Sequence, residues 1–277
     1  MITIKNLHFS YKKRPVFDAL ELQFAAGHVY GLLGKNGTGK STLLRNMAGL
    51  LFPERGTITV NGQVPAERTP QFLQNVVMVP EEFYLPDIEI AEFIKYQAPF
   101  YPRFNHQQFQ NYCTAFDIPV SSTMQRMSYG QKKKVLISFA LATNAALLLM
   151  DEPTNGLDIM SKSQFRKVLA EALDEQRCII ISTHQVKDLE NLIDHITIID
   201  EGKILFDQDV EAITEKLAFR LVFDESDATD ALYKESSLRG HAVVTPNYDA
   251  YESRLDLELL YKAIITNGAK IKTLFQS

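Results

Sequence analysis

The sequence predicts an α/β fold built on a mostly parallel sheet. Three observations carry that reading. Several segments are apolar along their whole length: HVYGLL at 28–33, ALLLMD ending at Asp151, and CIIIS from Cys178. Strands of that kind are buried on both faces, as parallel strands are. Amphipathic helices stand between them, such as SKSQFRKVLAEALDEQ with Phe165, Val168, Leu169, Ala172 and Leu173 on one side. Strand–helix alternation then places helices on both faces of the sheet.

The elements follow in order. Residues 2–9 and 18–25 read as strands of an N-terminal antiparallel β subdomain. The strand at 28–33 runs into a glycine-rich turn, and 40–50 reads as a helix with Gly49 near its end. TITVNGQ is a strand and turn, and VVMVP at 76–80 a buried strand. From about 87 to 145 the pattern is helical, an insertion into the α/β core. Asp87, Asn105 and Ser128 stand where N-caps belong, with Pro86, Pro99, Pro102 and Pro119 as punctuation. The sheet pattern resumes with ALLLMD, the helix above, CIIIS, a helix around 185–193 and the strand HITIID. After about 215, LAFRLVF, a polar helix near 227–235, HAVVTP, a helix near 256–267 and AKIKTLF make a small α+β appendage. The expected division is 1–213 and 214–277. There is no internal repeat.

Composition narrows the function classes. The chain has 277 residues, 45% apolar and 23% charged, an ordinary globular balance. A net charge of −5 argues against a generally basic nucleic-acid surface, so no nucleic-acid partner is expected. Two cysteines, Cys113 and Cys178, are too few for a disulfide framework and read as buried, inert thiols. No apolar run approaches the roughly 18 residues of a bilayer span, so the chain is not expected to cross a membrane by itself. MITIKNLHFSY is strand-like rather than a signal peptide.

Two motifs carry chemistry. GKNGTGKST comprises Gly34, Lys35, Asn36, Gly37, Thr38, Gly39, Lys40, Ser41 and Thr42, between a strand and a helix. It matches the phosphate-binding loop and implies a P-loop NTPase core. The glycines let backbone N–H groups curl around phosphate oxygens, Lys40 reaches the β/γ-phosphates, Ser41 ligates Mg²⁺, and the helix N-terminus favours the anion. LLLMDEP ends a buried strand in two carboxylates at the sheet edge where α/β proteins bind ligands. Asp151 suits Mg²⁺, and Glu152 suits polarising a water for attack on the γ-phosphate. Alone, such a pair is more often a solvated strand end; the upstream phosphate loop favours the catalytic reading.

With these motifs in this order, the sequence resembles the ATP-binding cassette (ABC) ATPases over about residues 1–213. The resemblance implies further roles. Tyr11 would stack on adenine. MSYGQ at 127–131 matches the signature motif, whose Ser128, Gly130 and Gln131 would meet the ATP of a facing subunit. Asn155, Gly156, Leu157 and Asp158 match the loop that touches that subunit, and His184 matches the switch histidine of the γ-phosphate. The implied cofactors are ATP and Mg²⁺. The implied partners are a second cassette, sufficient as a homodimer, and a separate transmembrane permease, which would place the chain on the cytoplasmic face of the cell membrane. The span between Ser41 and Ser128 allows a compact helical subdomain and excludes the long coiled coil of the DNA-repair relatives. The appendage is similar to the tail of many single-cassette bacterial export subunits. The rival readings are a soluble ABC ATPase serving a protein partner, and a nucleotide switch with little turnover.

Two positions depart from the family pattern. Tyr129 stands where the signature usually has glycine. Glu81 stands where a glutamine commonly meets Mg²⁺ and the attacking water; a carboxylate can also meet the ion. RMSYGQKKKV poses its own problem. Ser128 and Gln131 are spaced as a capping box, yet Lys132, Lys133 and Lys134 crowd the positive end of the helix. The resemblance resolves this by placing a triphosphate nearby. The helical insertion is rich in aromatics: Phe93, Tyr96, Phe100, Tyr101, Phe104, Phe109, Tyr112 and Phe116. Most are expected in its core, and a few in a permease groove.

Overall fold

The computed structural model describes residues 1–189, 192–224, 230–238, 240–248 and 251–276. In chain order these form β1 (Ile2–Tyr11), β2 (Arg14–Phe24), β3 (Val29–Leu33), α1 (Lys40–Met47), β4 (Arg55–Val60), α2 (Pro70–Leu73) and β5 (Val76–Val79). The inserted helices are α3 (Ile90–Gln97), α4 (His106–Ala115) and α5 (Tyr129–Ala142). There follow β6 (Leu147–Asp151), α6 (Ile159–Glu171), β7 (Cys178–Thr183), β8 (His195–Asp200), β9 (Lys203–Asp209) and α7 (Val210–Lys216). The chain closes with β10 (Leu217–Val222), β11 (Tyr233–Ser237), β12 (Gly240–Pro246) and α8 (Leu257–Phe275).

The central sheet has six strands in the order β5-β6-β7-β3-β8-β9, parallel except for β9. Its apolar strands serve two cores by strict alternation. Val29 and Leu33, Leu148 and Met150, and Ile179 and Ile181 face the core of α5, α6, the inserted helices and α8. Tyr30 and Leu32, Leu147 and Leu149, and Cys178 and Ile180 face the core shared with α1 and the antiparallel sheet β2-β1-β4. The register sets Asp151 beside Ser182 and Leu33 beside Thr183, so three strand ends meet at one edge.

Several local expectations need correction. Asp87 caps nothing: α3 begins after Glu89, which makes no side-chain cap, and the amide of Ile90 instead donates to the carbonyl of Ser122 at 3.2 Å. A cross-loop bond replaces the local one. The helix around 185–193 shrinks to a 3₁₀ turn, Val186–Leu189, with Glu190 and Asn191 outside the described residues. Of the polar helix near 227–235, residues 225–229 lie outside the described residues, and Tyr233–Ser237 is an edge strand on β12. AKIKTLF continues α8 past a kink at Asn267, whose side chain donates to the carbonyl of Leu232 at 2.6 Å. The pair Asn267-Gly268 has the composition of a helix stop, and this tertiary bond carries the chain across it. Leu173 is half exposed because α6 stops at Glu171. Strand β9 has no counterpart among the expected elements. It returns from β8 through Glu201 (φ +45°) and Gly202 (φ +72°), a tight turn with both central residues left-handed.

Asn105 caps α4 by accepting from the amides of Gln107 and Gln108. Ser128 and Gln131 form both halves of the capping box on α5. Leu257, Leu260, Ala263, Ile264 and Ile271 of α8 are buried in the same cluster as the sheet. No helix among the described residues is long and apolar enough to cross a membrane.

Candidate nucleotide site

The loop from Gly34 to Gly39 leaves β3 and enters α1. Gly39 is the N-cap of α1 at φ +108°, and a Cβ there would lie 2.7 Å from the ring of Phe17, so conformation and space both require glycine. The Lys40 side chain is buried at the centre of the loop, and Nζ donates to the carbonyls of Gly34 (2.7 Å) and Lys35 (3.0 Å). Burial lowers the pKa of Lys40, opposed by the carboxylates of Glu152, Asp151 and Glu81. Thr38 is buried and donates its hydroxyl to the Lys35 carbonyl at 2.9 Å, holding the loop's bend.

The end of β6 supplies the two carboxylates. Oδ1 of Asp151 accepts from the hydroxyls of Ser41 (3.0 Å) and Ser182 (2.5 Å). Glu152, buried, sits at φ +45°, a left-handed conformation that costs a non-glycine residue about 1–3 kcal/mol unless its surroundings impose it. They do. Its amide donates to the Ser182 carbonyl at 3.0 Å. Its Oε2 accepts from Thr183 Oγ1 at 2.9 Å, and its Oε1 from the His184 amide at 3.0 Å. Nδ1 of His184 lies 2.8 Å from Oε1, and Nζ of Lys40 lies 3.8 Å from it.

These groups open on two neighbouring cavities. Tyr11, Asn36, Gly37, Gly39, Lys40, Ser41, Thr42, Glu81 and Glu152 line a cleft of about 380 Å³. The hydroxyl of Thr42 reaches that of Tyr11 at 3.4 Å, setting the ring beside the loop. Gly34, Lys35 and His184 line an adjoining cavity of about 620 Å³, together with Tyr261 and Lys262 of α8. Residues 17–155 match the family model described as ABC transporter. The chain belongs to the ATP-binding cassette (ABC) transporter family. It is an ATP-binding, ATP-hydrolysing subunit of that family. Among its relatives is the SkfA peptide export ATP-binding protein SkfE of Bacillus subtilis (strain 168), 28% identical over 79% of this chain and 94% of that one. Another is the cobalt import ATP-binding protein CbiO of Salmonella paratyphi A, 31% identical over 74% of this chain and 79% of that one. The solved structure of an ATP-binding subunit of an ABC transporter superposes with a TM-score of 0.70 at 25% identity, covering 77% of this chain and 91% of that one.

In this cassette the remaining sequence candidates lie elsewhere. Ser128 and Gln131 are exposed and Gly130 half-buried at the start of α5, and none of them lines either cavity. Asp158 caps α6, accepting from the Ser161 amide at 2.7 Å, and that bond lowers its pKa. The three lysines separate. Lys133 is fully buried and donates to the carbonyls of Glu152 (2.7 Å) and Asn155 (3.1 Å). Burial pushes it down to about 8 against the pull of Glu81, Glu152 and Asp151. Lys134 reaches the Phe116 carbonyl at 3.3 Å and the Gln164 amide oxygen at 3.1 Å. Two of the three cations are therefore tied within their own chain.

Some residues of the site went unnoticed in the sequence. Ser182 and Thr183 orient Asp151 and Glu152; the signal was a polar pair closing an otherwise apolar strand. The Asn155 amide donates to Oε1 of Glu81 at 2.9 Å and accepts from Gln185 at 3.0 Å, a link with no local signature. The insertion's aromatics also divide. Phe93, Phe109, Tyr112 and Phe116 are buried, Tyr101 and Phe104 partly so, while Tyr96 and Phe100 are exposed.

Proposed function

We propose that two copies of the chain close head to tail on two ATP molecules and that closure drives a separate membrane permease in export. One observation carries the dimer. The phosphate loop and its carboxylates form one cleft, whereas Ser128, Gly130 and Gln131 present a capped helix start away from it. The positive end of a helix favours an anion, and the γ-phosphate on a facing copy supplies one.

In this reading Lys40 turns from its loop carbonyls to the β/γ-phosphates. The loop amides and α1 take the remaining phosphate charge, and Tyr11 stacks on the base. Glu152, fixed by Thr183 and His184, polarises the attacking water, while the ring of His184 meets the γ-phosphate. The donor set fits Mg²⁺. The Ser41 hydroxyl and the Asp151 and Glu81 carboxylates are hard oxygen donors, of the kind the ion takes beside phosphate oxygens. When bound, Mg²⁺ neutralises charge on the transferring phosphoryl group. Phosphoryl transfer chiefly requires such positioning and charge compensation.

The permease reading draws on the relatives and on exposed aromatics. Tyr84 is 85% exposed and Phe100 66%, large apolar surfaces facing solvent near and on the insertion. A relative named for peptide export and the appendage support export; one named for cobalt import stands on the other side. In this reading the chain is peripheral on the inner face of the membrane.

The test is Glu152→Gln. Its ATPase rate should fall at least 100-fold, on the order of the general-base contribution, and size-exclusion chromatography should show an ATP-dependent dimer. Wild-type turnover in that variant would remove Glu152 from its assigned role. A strict monomer with saturating ATP would remove the dimer. For the permease, an adjacent reading frame with about six apolar 20-residue segments should yield a protein that co-purifies with this chain.

A further inference from the structure

Tyr129 is the first residue of α5, and its side chain reaches outside that helix. Its hydroxyl donates to the backbone carbonyl of Glu81, in the loop between β5 and α3. Its ring stacks on Phe83 of the same loop, with centroids 5.0 Å apart and planes at 24°. The ring also lies against the loop after β6. A Cβ at Gly156 would come within 3.1 Å of Tyr129 Cδ1, and one at Gly130 within 3.0 Å of the Gly156 carbonyl oxygen. One helical turn on, Lys133 Nζ sits 5.7 Å from the Tyr129 ring centroid while bonded to the carbonyls of Glu152 and Asn155. The circuit closes where Asn155 donates to Oε1 of Glu81.

We propose that Tyr129 is a positioning residue: it clips the start of the signature helix to the β5–α3 loop of its own chain, so that the two move as one body. A glycine at 129 could offer neither the hydroxyl nor the ring. The capping box is internal to α5 and holds the helix start only to itself. The clip gives the departure at Tyr129 a task and ties it to the departure at Glu81. It fixes Glu81 at its backbone, while Asn155 fixes it at its carboxylate.

The use of the clip in the ATP cycle rests on the dimer reading above; the contact itself does not. With head-to-tail closure, Glu81 serves the ATP of its own chain and Ser128 that of the facing one. A rigid link between them carries the state of one nucleotide to the other.

Hydrogen exchange of the full chain tests both parts. Without nucleotide, Tyr129→Phe should speed exchange of amides at 81–85 and 128–131 by about threefold to tenfold, the worth of one hydrogen bond, and leave β1 unchanged. Unchanged exchange at 81–85 overturns the clip. Tyr129→Gly, which also removes the stacked ring, should exceed the phenylalanine variant; equal effects would overturn the part assigned to the ring. The second arm titrates ATP with Mg²⁺ in the Glu152→Gln background. Protection of the two segments should develop with one midpoint when Tyr129 is present and with separated midpoints in Tyr129→Phe. Coincident midpoints in both overturn the coupling and leave the first arm to judge the contact. No protection at 128–131 in either protein overturns the dimer reading and the coupling with it.

Discussion

Replacing Lys133 by methionine tests a fully buried charge. The side chain is fully buried, its Nζ bonded to two carbonyls, and burial lowers its pKa from 10.5 to about 8. A neutral amine still has two N–H donors, enough for both carbonyls, so deprotonation relieves the buried charge without breaking the anchor. The sign follows from proton counts. Between about pH 8 and pH 10.5 the unfolded chain holds a proton on this lysine that the folded chain lacks, so stability rises with pH. Integrating the two titration curves from about pH 7 to about pH 9.5 gives an increase of about 2 kcal/mol. Methionine fills similar volume and cannot titrate. Urea titrations of both proteins at the two pH values should show the wild-type-minus-variant stability growing by about that amount. A difference that stays flat or falls as pH rises would refute the buried-charge account.

The remaining predictions concern single contacts. Ser128→Ala removes half of the capping box and should cost about 1 kcal/mol in urea unfolding; no loss would mean that the cap is redundant with the contacts of Lys133. Gly39→Ala forces a Cβ against Phe17 at φ +108° and should destabilise by about 1–3 kcal/mol, with loss of ATP binding by calorimetry; an unchanged affinity would contradict the tight loop. Cys113 and Cys178 are buried, their thiols pushed up to about 12 by burial. A thiol-reactive disulfide reagent at about pH 8 should label neither until urea unfolds the chain, because the thiolate is the reactive form. Labelling of the native protein at a free-thiol rate would contradict their burial.

The phosphate loop was legible because its chemistry needs contiguous residues: glycines where the backbone bends, then Lys40 and Ser41 on the first turn of α1. The cap of α5 was legible for the same reason, since Ser128 and Gln131 meet within one helical turn. Asp87 shows the limit. It had the right chemistry two residues early, and the bond made instead reaches across to Ser122. In β11 the apolar signal of a strand is weak because it is a partly exposed edge. At Asn267-Gly268 a local stop signal is overridden by a bond to Leu232.

By itself the sequence determined the class of fold, the phosphate loop and the two carboxylates at the end of β6, because each is written in adjacent residues or in strict periodicity; the part given to the histidine after β7 came only with the family resemblance. Tertiary structure alone decided how these groups hold one another. The register of β6 against β7 brings Ser182 to Asp151 and Thr183 to Glu152, residues some thirty positions apart in the chain. Helix packing, not composition, separated three adjacent lysines. Successive residues on a helix point about 100° apart, so Lys133 is buried beneath Glu152 while its neighbours are only partly covered. The same packing turned Tyr129 from an oddity of the signature motif into a contact between the start of α5 and the β5–α3 loop.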